Sequence, residues 1–245
     1  MLCKMKKFVV LIFFAVALCT PVLMSGTTSK IDRGAKRYTS IDNSLLTVSS
    51  SVLYDSLNLN EFGLNEKAFK YAWKGYLKMY SKGQLANPGY FSIIDFSQSS
   101  CSKRLYIIDL QEMKMFKHTY VAHGRNSGTE YAKSFSNRPE SHKSSLGFYI
   151  TGTTYSGIHG LSLRIDGVEK GINDKAWARR IVIHGADYVS NDFLDSNPFT
   201  GRSYGCPAVP LEERDSIINA IKEGSCLFIY HPSKLYLSKS KILNG

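Results

Sequence analysis

Cysteine is scarce, with five in 245 residues, too few for a small scaffold stapled by disulfides. Glycine and proline number 19 and 7, which excludes a collagen-like or low-complexity chain. Charged residues make up only 21% of the chain against 43% hydrophobic, so extended disorder is excluded too. No long Lys/Arg run, zinc-finger spacing or RNP pattern occurs, which argues against nucleic acid as a partner. No internal repeat is visible, and no apolar run reaches the ~20 residues that span a bilayer.

What remains is a chain long enough to bury a core and basic throughout, with formal net charge +11. Dispersed positive charge suits an anionic polymer or a membrane surface. Lys4, Lys6 and Lys7 precede an apolar run of 11 residues, Phe8 to Leu18, then Pro21 and the small residues Ser25-Gly26. That order is the pattern of a signal peptide over 1–25, so export to the periplasm or cell envelope is expected. Cys19 leaves lipidation, and with it membrane anchoring through the N-terminus, as an alternative, although Leu18 stands where a small residue is usual. The mature chain would keep Cys101, Cys206 and Cys226, an odd number that leaves at least one thiol unpaired. A Cys101–Cys226 bridge is one option, and Cys226 as a small core hydrophobe is the other.

Residues 26–43 are polar and read as a linker. A helical segment over 44–87 follows, with one helix expected from Ser44 to Leu57 and a stronger one from Asn65 to Lys82. Phe69, Ala72, Trp73, Tyr76, Leu77 and Tyr80 recur on one face of the second, which we read as a docking face. Beyond Pro88 the pattern changes to short apolar runs at 90–96, 104–110, 116–121, 147–154, 161–165, 180–184 and 226–230, each read as a strand, with Asp166-Gly167 as a tight turn between two of them. One helix opening at Pro210 carries Ile217, Ile218 and Ile221 as its buried stripe. The expected fold is mostly β over 88–232, α+β overall, with a loosely held basic tail over 233–245. Oligomeric state is left open.

The chemistry concentrates in two places. Cys206 lies in Gly-Arg-Ser-Tyr-Gly-Cys-Pro, where Gly205 permits close backbone approach to a substrate and successive N–H groups around Tyr204 are able to hold an oxyanion. Ser203 is placed to brace that turn. His184 closes the run Ile-Val-Ile-His and precedes Gly185. A thiol is mostly protonated at neutral pH and needs a base or a positive neighbour. His184 is expected to supply both, as the imidazolium of a thiolate pair and then as general acid. His123, also followed by a glycine, is a candidate lining residue for the same pocket. A zinc site from His123, His184 and Cys206 lacks any close-spaced ligand pair, so no metal or cofactor is expected.

These motifs resemble the L,D-transpeptidase catalytic domain family, whose signature is a His-Gly followed, one to two dozen residues later, by Ser/Thr-x-Gly-Cys. Here His184-Gly185 precedes Ser203-Tyr204-Gly205-Cys206. The stretches 121–128, 135–139, 144–149, 181–189 and 201–208 resemble the murein L,D-transpeptidase subfamily more closely, and the likeness spans about residues 90–231. It implies a β-sandwich-like catalytic fold and peptidoglycan stem peptides as substrate. The implied catalytic set is Cys206 as nucleophile, His184 as acid and base, and the Ser203–Gly205 turn. It further implies a thioacyl-enzyme that releases D-alanine, a 3–3 cross-link when a second stem attacks, a tripeptide when water does, and acylation by carbapenems. Pro207-Ala208 departs from the aliphatic-then-Arg/Asn pattern of many members and removes a substrate contact. Gly185, Arg202, Arg138 and His123 are the candidates for contacting substrate, the two arginines through a carboxylate. The rivals are a wall cysteine peptidase, for which the order of His and Cys is wrong, a sortase, for which the gap is too short, and a wall-binding protein of the same fold without turnover.

Overall fold

The computed structural model describes residues 44–245, so the expected signal peptide and linker lie outside the described residues. A 3-10 turn, Leu45–Thr47, precedes α1 (Ser50–Ser56) and α2 (Glu66–Ser81). Three strands follow, β1 (Tyr90–Asp95), β2 (Leu105–Asp109) and β3 (Lys114–Thr119), then a long hairpin of β4 (Gly147–Gly157) and β5 (Gly160–Gly167). The chain continues through β6 (Val182–Ala186), α3 (Asn191–Ser196), β7 (Ala208–Pro210), α4 (Arg214–Ile221), β8 (Cys226–Tyr230), α5 (Lys234–Lys239) and α6 (Lys241–Asn244). The eight strands form one sheet in the order β3-β2-β1-β8-β4-β5-β6-β7. Only β1 with β8 and β6 with β7 run parallel. The architecture is thus mostly β with a few helices, as expected.

Helix α2 shows how the sequence sets this frame. Asn65 caps it, its side-chain oxygen accepting from the N–H groups of Lys67 at 2.9 Å and Ala68 at 3.3 Å. Phe69, Ala72, Trp73 and Tyr76 are buried, with Trp73 stacked on Tyr76 at 5.0 Å and Tyr76 tilted against Phe91 of β1 at 4.9 Å. Burying each large side chain stabilises by about 1.5–3 kcal/mol. Gly75 lets the helix backbone rest on the Phe148 ring of β4, where an added Cβ would fall 1.9 Å from Cζ. The aromatic face is therefore a docking face.

Four expectations need correction. The turn at Asp166-Gly167 is absent; both residues belong to β5, paired with Ile150 and Tyr149, and the hairpin turns instead at Ile158-His159, where Gly160 takes φ +69. The helix expected from Pro210 starts at Arg214, because Pro210 closes β7; its Ile217, Ile218 and Ile221 are buried as anticipated. Residues 44–57 are broken, since Val48 ends the first turn in extended backbone and Ser49, also extended, caps α1. The tail is not loose. Tyr236 and Leu243 are buried, and Tyr236 Oη and Ser240 Oγ donate to the carboxylate of buried Glu169. Lys78 of α2 also holds the backbone oxygens of Lys241 and Gly245, both at 2.7 Å. Cys101, Cys206 and Cys226 are all free, and Cys226 sits in the core.

Candidate active site

Residues 201–207 form an irregular loop that feeds β7. Gly205 takes φ +124 there, a conformation that disfavours any side chain, and a Cβ would lie 2.9 Å from the Lys143 carbonyl oxygen. Ser203 braces the turn from within. Its Oγ accepts from Gly205 N–H at 3.0 Å and donates to the Cys206 carbonyl at 2.6 Å. The stretch 121–128 cradles the turn from outside: Ser203 N–H donates to His123 O at 3.0 Å and Arg125 N–H to Ser203 O at 2.7 Å. Ser144 completes the cradle, accepting from Gly124 N–H and donating to Gly205 O at 3.2 Å. Gly205 N–H is thus engaged, whereas the N–H groups of Tyr204 and Cys206 have no acceptor among the described residues.

His184 lies in the middle of β6, which runs on to Ala186. The parallel register sets it against Ala208, and its N–H reaches Pro207 O at 3.4 Å. The imidazole and the thiol are therefore carried on neighbouring segments of one sheet edge. His184 Nδ1 lies 3.0 Å from Gly185 O. A carbonyl only accepts, so Nδ1 carries the proton and Nε2 keeps the lone pair. The ring is buried and stacks on that of His159 at the hairpin tip, 4.4 Å between centroids and 24° between planes.

The electrostatics differ from the expected thiolate–imidazolium pair. Burial pushes the half-buried Cys206 thiol up from its ordinary value, against the opposing pull of the Val182 backbone N–H and the Arg179 guanidinium. Burial likewise pushes His184 down; its Gly185 bond opposes the shift and His159 adds to it. Both effects disfavour charge, so burial favours a neutral thiol and a neutral imidazole. The thiol donates weakly to Arg180 O at 3.8 Å.

Of the other expected residues, Tyr204 is exposed, with Arg125 over its ring at 5.6 Å and His142 beside it at 4.6 Å. Gly185 pairs with Val209 and has no room for a side chain, a Cβ falling 2.9 Å from Arg214 Cδ and from Leu211 Cδ1. Arg202 is committed to the carbonyls of Arg125 and Gly128 and stacks on Phe199. Arg138 is exposed on the 137–140 loop, with no side-chain bond among the described residues. His123 points inward, its Nδ1 at 2.8 Å from the fully buried Arg104, and burial with that neighbouring cation pushes it down to about 3. It is a brace behind the turn and does not line the pocket.

Sequence reasoning missed three groups. Arg179 reaches Ser136, Ser145 and Lys143, and its charge opposes the upward push that burial gives the thiol. Beside it, a groove of about 510 Å³ is lined by Tyr155, Arg164, Trp177 and Arg180. The Arg164 guanidinium there sits over both the Tyr155 and Trp177 rings, at 5.2 and 4.7 Å. The available signal was the Arg179-Arg180 pair directly before the apolar run of β6. The third is His159, for which a glycine on each side of Ile158-His159 was the only hint of a hairpin tip.

The sequence model of the L,D-transpeptidase catalytic domain matches residues 60–230 of this chain. Solved structures similar to it include L,D-transpeptidase 3 from Mycobacterium tuberculosis, at 12% identity over 59% of this chain and 62% of that one, with TM-score 0.38. An L,D-transpeptidase from Mycobacterium smegmatis matches at 8% identity over 58% and 59%, with TM-score 0.37. The helical cell shape determining protein Pgp2 from Campylobacter jejuni matches at 13% identity over 66% and 57%, with TM-score 0.37. In each case the match covers less than two thirds of the solved protein's length. No functionally curated protein matches the chain.

Proposed function

The chain belongs to the L,D-transpeptidase catalytic domain family, and on that premise we propose that it is an exported cysteine acyltransferase that cross-links peptidoglycan stem peptides. The observation that carries the reading is the parallel pairing of β6 with β7, which sets His184 beside the residues that follow Cys206. The basic, apolar N-terminus supports export to the compartment where that polymer lies.

The mechanism starts from the neutral pair. Nε2 of His184 takes the Sγ proton as the sulfur attacks the amide carbonyl at the third residue of a stem tetrapeptide. The free N–H groups of Tyr204 and Cys206 are the donors of this turn open to the oxyanion. When the tetrahedral intermediate collapses, the C–N bond breaks and His184 returns its proton to the departing D-alanine amine, leaving a thioester on Cys206. The side-chain amine of a second stem then attacks the thioester carbonyl. His184 accepts the amine proton and passes it to the departing sulfur, so the enzyme ends as it began. Water in place of the amine gives a tripeptide, the L,D-carboxypeptidase outcome. The groove with Arg164 and Arg180 suits the carboxylates of a stem peptide, and Arg138 does not line it.

Purified protein incubated with disaccharide-tetrapeptide, beside Cys206→Ala, tests this by mass spectrometry. A dimer lacking one D-alanine, absent from the control, is expected. Tripeptide alone would move the reaction to carboxypeptidation, and identical products from both proteins would remove Cys206 from the chemistry.

A further inference from the structure

His159 belongs to no motif of the catalytic reading, yet its ring lies almost parallel on that of His184 at 4.4 Å. The tip that carries it is held from behind, because Arg214 of α4 donates to the His159 carbonyl at 3.3 Å. His159 is exposed and His184 is buried beneath it. The stack limits rotation of the His184 ring while the Nδ1–Gly185 bond fixes its tautomer, so two independent contacts aim Nε2.

The nearness of His159 also bears on the buried ring, where it adds to the lowering of the proton affinity of His184. A proton on the exposed ring places a like charge next to the buried one and disfavours a second proton there. Arg214 also reaches the stack through the His159 carbonyl, its guanidinium paired with the Asp215 carboxylate at 2.7 Å. From β5 the neighbour opposite His184 is Ser162, which is uncharged. The Cys206 thiol stands one residue before the Pro207 carbonyl that accepts from His184.

We propose that His159 is a positioning residue for His184, holding its ring by stacking and keeping it unprotonated, and so able to act as a base, below neutral pH. This rests on the acid–base role of His184 given above. His159→Phe keeps the ring and removes the charge; His159→Ala removes both. Following the imidazole protons by NMR, with His184→Ala to assign the signal, His184 in His159→Phe is expected to protonate at a pH higher by about 0.5, as for partly screened unit charges at that spacing. An unchanged midpoint overturns the electrostatic half without any appeal to substrate. In tetrapeptide turnover, His159→Phe should keep plateau kcat within about twofold and move the acid limb of the profile upward. His159→Ala should lower kcat roughly tenfold, with KM less affected, through loss of alignment. Wild-type kcat in His159→Ala overturns the positioning half. A fully active His184→Ala would instead defeat the catalytic reading itself, whatever the His159 variants do. Circular dichroism melts check that each variant, altered at an exposed hairpin tip, remains folded.

Discussion

Replacing Gly205 by alanine tests the turn that presents the thiol. At φ +124 a residue with a Cβ costs about 1–3 kcal/mol of backbone strain. The new methyl would also meet the Lys143 carbonyl at 2.9 Å, and that oxygen is itself held by Arg179. The turn then has two responses. It keeps its geometry and bears the strain, or it relaxes and loses the Gly205 N–H to Ser203 bond and the Ser144 to Gly205 O bond, each worth about 1 kcal/mol. Either way about 2–3 kcal/mol of stability is lost, a fall of roughly 5–10 °C in Tm for a domain of this size. Relaxation would also displace the thiol and cut turnover by up to roughly a hundredfold. Gly171→Ala is the control: φ is +80 there, but nothing lies within 4 Å of the added Cβ, so only the backbone cost of about 1 kcal/mol is expected. Urea unfolding and tetrapeptide turnover measure both effects. A Gly205→Ala protein that matches the Gly171→Ala control in stability and retains full turnover would refute the reasoning.

Further outcomes follow from the buried polar groups. Glu169→Gln turns an amide towards donors from Phe148, Tyr236 and Ser240; about 2–4 kcal/mol should be lost in urea unfolding, and the tail from Ser233 should become protease-sensitive. His123, pushed down to about 3, binds its proton more readily unfolded than folded. Its contribution is therefore complete above about pH 6.5 and lost as pH falls towards 3, at about 1.4 kcal/mol per pH unit. The difference in unfolding free energy between wild type and His123→Asn, measured from pH 7 to 4, should show that slope, and parallel curves would sink it. Native Cys206 should alkylate with a midpoint above that of a free thiol, and Arg179→Gln should raise it further; a midpoint below neutrality would restore the ion pair. Arg164→Ala should raise KM for tetrapeptide several-fold while kcat stays close to wild type, and an unchanged KM would detach the groove from substrate.

The strands of the sheet were legible because alternation and apolar runs reflect local burial. Seven of the eight follow from the residues alone. The exception, β7, has three residues and ends in Pro210; it exists only because β6 on one side and Ala122 on the other accept and donate to it. The tail was misread for a related reason. Its Ser233 and Ser240 caps are local, but what holds it is Glu169, 67 residues from Tyr236 and 71 from Ser240.

By itself the sequence determined the candidate nucleophile, its companion histidine and the turn between Ser203 and Cys206, because a φ +124 glycine and a serine that bonds within three residues are short-range requirements. It determined the helix face as well, through the 3.6-residue period. Only the tertiary structure decided which way the two groups are pushed. Burial of the Cys206 thiol and the His184 ring depends on what packs around them, and desolvation is a property of the surroundings that no local pattern encodes. It also decided which arginine lines the groove beside Arg179 and which histidine turns away from the turn. Arg164, placed over Trp177 and Tyr155, and His159, brought onto His184 by a hairpin, come from β5 and its turn. His123, carried in a motif resembling that of His184, was turned inward by the buried charge of Arg104.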